Sequence, residues 1–155
     1  MFLPLVLNNT NTLLMEKYAA ELLQLNNLTV QKGLIMTKEE ACNVIYIRNT
    51  VLNNYGRVDL GIDATKEIIE KFFESSFISK ENYIDVINEL QEIFYYMKNE
   101  IEDRISDSDI VLLIQDYFEN TCRGSIEFLK GELQEYASNF RKKEQDREAS
   151  EKGDV

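Results

Sequence analysis

Tyr83, Ile87, Leu90, Phe94, Met97, Ile101 and Ile105 recur at steps of four and three, the spacing of one face of an α-helix. The pattern predicts a helix over residues 79–105, about seven turns at 3.6 residues per turn. Val86 and Ile93 widen the stripe on one flank, so the buried face is broad. A helix this apolar needs several partners packed around it, and that requirement constrains the rest of the chain.

The flanking sequence supplies them. Leu13, Leu14, Tyr18, Leu22 and Leu25 follow the polar cluster of Asn8 to Asn11 at helical spacing, with the only proline, Pro4, placed before this first helix. Thr37 and Glu40 form a capping box that opens a second helix. Its inner stripe reads Ala41, Val44, Ile45, Arg48, Leu52 and Tyr55, and Gly56 is placed to end it in a left-handed cap. Asp63 caps a third helix carrying Ile68, Ile69, Phe72 and Phe73, and Ser79 caps the long one. Ser106 opens a fifth, with Asp107 and Asp109 favourable to its dipole. The run from Ile110 to Ile114 is apolar nearly all round, which predicts a path through the middle of the bundle. Gly124 separates it from a sixth helix, capped by Ser125, with Ile126, Leu129, Leu133, Tyr136 and Phe140 inward.

The expected fold is therefore all-α: one domain over residues 1–140, a bundle of about six helices around the central helix 79–105. A minor two-stranded ribbon pairing 34–36 with 58–60 is the one β element the sequence allows. Residues 141–155 read as a charged C-terminal extension, helical at first and then frayed or disordered.

Charge and composition narrow the function. A formal net charge of −11 repels nucleic acid and anionic membranes, so neither is expected as a partner. Histidine is absent, which removes Ser-His-Asp and Cys-His nucleophiles, His-ligated zinc and Glu-x-x-His di-iron sites. Cys42 and Cys122 stand in no metal-ligand spacing and read as two small buried hydrophobes, with a disulfide as the lesser reading. The apolar start over residues 1–7 lacks a positive n-region and is too short for a signal h-region or a span, so a cytoplasmic location is expected.

Without histidine a metal site would have to be all oxygen. Glu67 and Glu70, with Glu100 and Asp103, superficially resemble the paired carboxylates with which all-α nucleotide pyrophosphohydrolases hold Mg²⁺. With 28 acidic residues such matches are cheap: the same spacing recurs at Glu89/Glu92, Glu132/Glu135 and Glu148/Glu151. A solvated acidic face is the plainer reading, and no cofactor is expected on it.

Arg48 interrupts an otherwise apolar stripe, and a buried charge must be paired. Glu100, on the flank of the long helix, is the acidic partner expected for it; a guanidinium reaching back to water is the alternative. Tyr95 and Tyr96 lie outside the central stripe and are candidates either for cover by another helix or for a partner-binding patch. Arg57, Arg123 and Ser125, at two glycine-bearing junctions, are candidates for binding a small anion, although neither junction is a P-loop.

Several of these stretches, GLIMTKEEA at 33–41, GRVDLG at 56–61 after Arg48, ELQEIFYYMKNE at 89–100, Asp107-Ser-Asp109 and GSIEFLKG at 124–131, resemble one bacterial family. It is a domain-of-unknown-function family of small acidic proteins, mainly from anaerobic Gram-positive bacteria, and the resemblance runs in order over most of 28–133. It implies a bacterial cytoplasmic protein with a shared fold and assigns no catalytic residue. Relatives are expected to carry Arg-Glu where this chain has Lys130, Gly131 and Glu132, a departure that weakens an anion role at this end. The reading that follows is a non-catalytic helical module that binds protein, or a second copy of itself. Its alternatives are an Mg²⁺-dependent pyrophosphohydrolase-like enzyme and a small-anion-binding protein.

Overall fold

The computed structural model describes the backbone over residues 2–153 and the side chains over 13–150. Every regular element among them is helical, as expected: α1 (Phe2–Gln24), α2 (Asn26–Thr29, followed by a 3₁₀ turn), α3 (Lys38–Asn54), α4 (Asp63–Phe72), α5 (Tyr83–Glu100), α6 (Asp107–Asp116, continued by a π-helical turn, Tyr117–Thr121) and α7 (Ile126–Gly153). None of these helices is long and apolar enough to cross a membrane. The chain groups into two compact units, residues up to Glu92 and residues from Ile93, and α5 contributes to both.

In the first unit α1 packs on α3. Ala19, Leu22, Ala41, Val44, Ile45, Ile68, Ile69, Phe72, Ile87 and Leu90 are buried there. A buried polar contact links three helices within this apolar set: the Thr65 hydroxyl donates to Gln91 Oε1 at 2.6 Å, and Gln91 Nε2 donates to the Val44 carbonyl at 3.1 Å. Because both polar partners are satisfied, the contact costs little and fixes the register of α3, α4 and α5. Tyr83 is buried as well, and burial pushes its hydroxyl up to about 12.

In the second unit Phe94, Met97, Ile101, Ile110, Val111, Ile114, Phe118, Leu129, Leu133 and Ala137 are buried. Helix α6 is one-sided rather than central: Leu112 is 47% exposed while Ile110, Val111 and Ile114 are covered. An all-apolar run of five residues therefore reported composition and not depth.

Several expected boundaries move. α1 already runs from Phe2, so Pro4 lies in its first turn, and Asn8 to Asn11 lie within the helix rather than before it. α4 starts at Asp63 itself, with Ile62 at the cap position and no side-chain cap. The stripe is buried as predicted from Tyr83 through Ile101, with Ile105 half-buried, but the helix under it is only 18 residues long. Asn82, not Ser79, organises its start, accepting from the Ser79 N–H at 2.7 Å and donating to the Phe77 carbonyl at 3.1 Å. Its end is a Schellman motif without glycine: Asp103 N–H reaches the Lys98 carbonyl at 3.1 Å and Glu102 N–H the Asn99 carbonyl at 3.2 Å. Glu102 and Asp103 take φ of 55° and 60° to do so. α7 continues as a helix through Gly153; residues 154–155 of the expected frayed tail lie outside the described residues.

The Thr37 capping box, the Ser106 cap and the Ser125 cap all form. Gly56 ends α3 at φ 63°, with Arg57 N–H on the Leu52 carbonyl at 2.9 Å. The ribbon between 34–36 and 58–60 does not form, and no strand occurs among the described residues. Side chains have taken the backbone groups that a ladder would need. The Thr29 hydroxyl donates to the Leu34 carbonyl at 2.6 Å, and Asn26 bonds both the N–H and the carbonyl of Met36, at 2.8 and 2.9 Å.

Candidate functional site

The connection from α3 to α4 carries Val58, Asp59 and Leu60 between two glycines, and it is held from beneath by Arg48. Position 48 lies on the inner stripe of α3, so the side chain is directed to the interior and is only 3% exposed. Its Nη2 donates to the carbonyls of Asp59 at 2.8 Å and Gly61 at 2.5 Å, and Nη1 donates to Asn49 Oδ1 at 2.8 Å. The Tyr18 ring of α1 lies 5.4 Å from the guanidinium carbon, within cation–π range, and its hydroxyl accepts the Gly61 N–H at 3.1 Å. The Nε of Arg48 is buried with no acceptor.

A buried cation held by neutral carbonyls, with no carboxylate paired to it among the described residues, is a costly arrangement unless it achieves something structural. What it achieves here is a fixed loop. Both faces of Gly61 are bonded, and Val58 and Leu60 are left 86% and 93% exposed. They border a groove of about 690 Å³ to which Leu14 and Tyr46, 48% and 58% exposed, also contribute. Isolated surface leucines are ordinary, but four apolar side chains around one concavity are a patch.

The pair expected between Arg48 and Glu100 is replaced by separate partners: Arg48 binds loop carbonyls, and Glu100 pairs with Arg141 of α7. Arg48 neither meets that acid nor reaches water. Helical periodicity located its burial correctly and could not see carbonyl acceptors 11 and 13 residues away. Tyr95 is no surface residue. It is 1% exposed and packs edge-to-face on Phe94, with ring centroids 4.9 Å apart, while Tyr96 is half-buried.

The anion candidates fall in different settings. Arg57 lines the groove just described and is half-buried. Arg123 is exposed with φ 48°, and the Ser125 hydroxyl is used as a cap that accepts the Phe128 N–H at 3.2 Å. Among the described residues no three of His, Cys, Asp and Glu gather to hold a metal ion; Glu70 and Asp103 are exposed, and Glu67 and Glu100 are half-buried. Both cysteines are free thiols. Cys122 is buried, and burial followed by the Glu132 carboxylate pushes its thiol up, away from nucleophilic use.

Sequence reasoning missed Tyr18 and the two loop side chains, Val58 and Leu60. A signal was present. Apolar residues set between two glycines, in a connection too short to fold back on the core, have nowhere to go but outward.

A family model described as a family of unknown function, DUF6323, matches residues 21–146. No curated protein and no solved structure matches the chain. The match spans Arg48, the 56–61 loop and most of α7, and the chain belongs to that family.

Proposed function

We propose that this member of the family is a non-catalytic module that docks another protein on the groove bordered by the 56–61 loop. One observation carries the reading: a fully buried arginine and a tyrosine hydroxyl hold the loop backbone, so that Val58 and Leu60 are presented to solvent at 86% and 93% exposure. Fixing apolar side chains in place before binding removes part of the ordering cost of association. A groove of about 690 Å³ with an open mouth suits a few anchoring side chains of a partner.

The remaining features fit this reading. The formal charge of −11 opposes nucleic acid and membrane surfaces, a cytoplasmic setting agrees with the acidic, cysteine-poor composition, the family resemblance implies a bacterial one, and docking requires no cofactor. A second copy of the chain would meet like charge, so a different protein is the favoured partner.

The test is affinity capture from the native cell with the wild-type chain and with a Val58→Asp, Leu60→Asp double variant. Both side chains are solvent-facing, so circular dichroism should show the variant folded. Partners held by the wild type and lost by the variant are expected; identical captures would overturn the reading. Light scattering on both proteins decides whether the patch also joins two copies.

A further inference from the structure

The π-helical turn Tyr117–Thr121 widens the end of α6, with the Cys122 N–H reaching back five residues to the Tyr117 carbonyl at 2.8 Å. Such turns recur at functional sites because they redirect a side chain out of helical register. Here Tyr117 meets Tyr136 of α7, which in turn stacks on Phe140 one turn further along. Its ring lies 6.3 Å from that of Tyr136 at 74°, and Tyr136 lies 6.4 Å from Phe140 at 22°. All three residues are half-buried, in contrast to the fully covered Phe118, Leu133 and Ala137 on the same elements. They line a cavity of about 280 Å³ together with Glu132 and Glu135.

Aromatic faces offer negative quadrupoles, which favour a cation whose charge is spread over apolar methyl groups; Asn139 completes the wall with a polar amide. Two carboxylates on the wall add long-range attraction without supplying the close oxygen cage a metal needs. The local field has the matching sign: after burial, the Glu132 carboxylate is the next cause that raises the Tyr117 hydroxyl above its ordinary value. Lys143 also lines the cavity and is exposed, which leaves the wall with one net negative charge. The volume admits a small cationic headgroup.

We infer that the cavity between Tyr117, Tyr136 and Phe140 is a binding site for a quaternary ammonium group, drawn to it by Glu132 and Glu135. This site is independent of the 56–61 loop and of the docking reading. The group has two sources, a free choline-like molecule or a trimethylated lysine on a protein.

The experiment titrates the full chain with choline, with a short trimethyllysine peptide, and with 3,3-dimethylbutan-1-ol, which has the shape of choline without its charge. Binding is followed by NMR at Tyr117, Tyr136 and Phe140. Choline or the peptide is expected to bind at least about tenfold more tightly than the alcohol, the factor for roughly 1.4 kcal/mol of cation–π attraction. Preference for choline assigns the small-molecule source, and preference for the peptide assigns the protein source. Glu132→Gln, a half-buried change that keeps shape, should weaken either cation about threefold or more and leave the alcohol unaffected. Equal binding of choline and the alcohol would overturn the inference. So would unmoved aromatic resonances with both cations, or cation affinity that Glu132→Gln leaves unchanged.

Discussion

At the scale of single residues, Arg48 decides the most. Replacing it with Met keeps the bulk on the apolar stripe but removes the donor to the half-buried Asp59 and Gly61 carbonyls, a loss of about 1–1.5 kcal/mol for each. Arg48→Met should therefore lower the unfolding free energy by about 2–3 kcal/mol in denaturant titration and raise backbone exchange over 58–61 more than elsewhere. Tyr83 offers a pH test. Its hydroxyl titrates near 12 in the folded chain against 10.0 ordinarily, so the protonated form is favoured by folding. That contribution is complete below pH 10 and is lost as pH rises towards 12. The denaturation midpoint should fall over this window, and the fall should be smaller in Tyr83→Phe, which has no proton to lose.

At the scale of elements, the end of α5 and the length of α7 are set by interactions that helix periodicity does not contain. Glu102 stands in the left-handed position that glycine normally fills in a Schellman motif. Glu102→Gly removes that strain and should stabilise the protein by up to about 1 kcal/mol, read as a rise in melting temperature, where most glycine substitutions lower it. Beyond Ala137 the inward stripe of α7 thins, yet the helix continues because charges strap it down. Arg104 pairs with Glu144 and lies 3.4 Å from Glu148, while Arg141 pairs with Glu100. Exposed pairs of this kind contribute only about 0.2–1 kcal/mol each and are screened by salt. Arg104→Ala, or half-molar salt, should accelerate amide exchange over 141–150 and leave the melting temperature nearly unchanged.

At the scale of the whole molecule, the chain carries 28 acidic residues, and those among the described residues form no three-ligand gathering. Mg²⁺, with or without a nucleoside triphosphate, should leave the melting temperature where it is. A rise of several degrees would favour the enzyme reading, since a ligand at 100 times its dissociation constant adds about 2.7 kcal/mol.

The sequence by itself determined the helical class, the positions of the long helices, three side-chain caps and the buried stripe of α5, because these follow from local periodicity and capping chemistry acting over three or four residues. Even its errors were local in kind: the Glu102 stop was invisible because no glycine marked it, and the 34–36 and 58–60 segments looked extended because nothing local pairs them. Tertiary structure decided where the polar groups went. Asn26 and Thr29 took the backbone of one would-be strand and Arg48 that of the other, and Glu100 found Arg141. A hydrogen bond between residues 10 or more apart, or 41 apart as for Arg141 and Glu100, depends on directions that only the packed chain fixes. For that reason the groove under Val58 and Leu60 and the aromatic pocket at Tyr117 are properties of the fold, assembled from residues whose spacing in the chain announces neither.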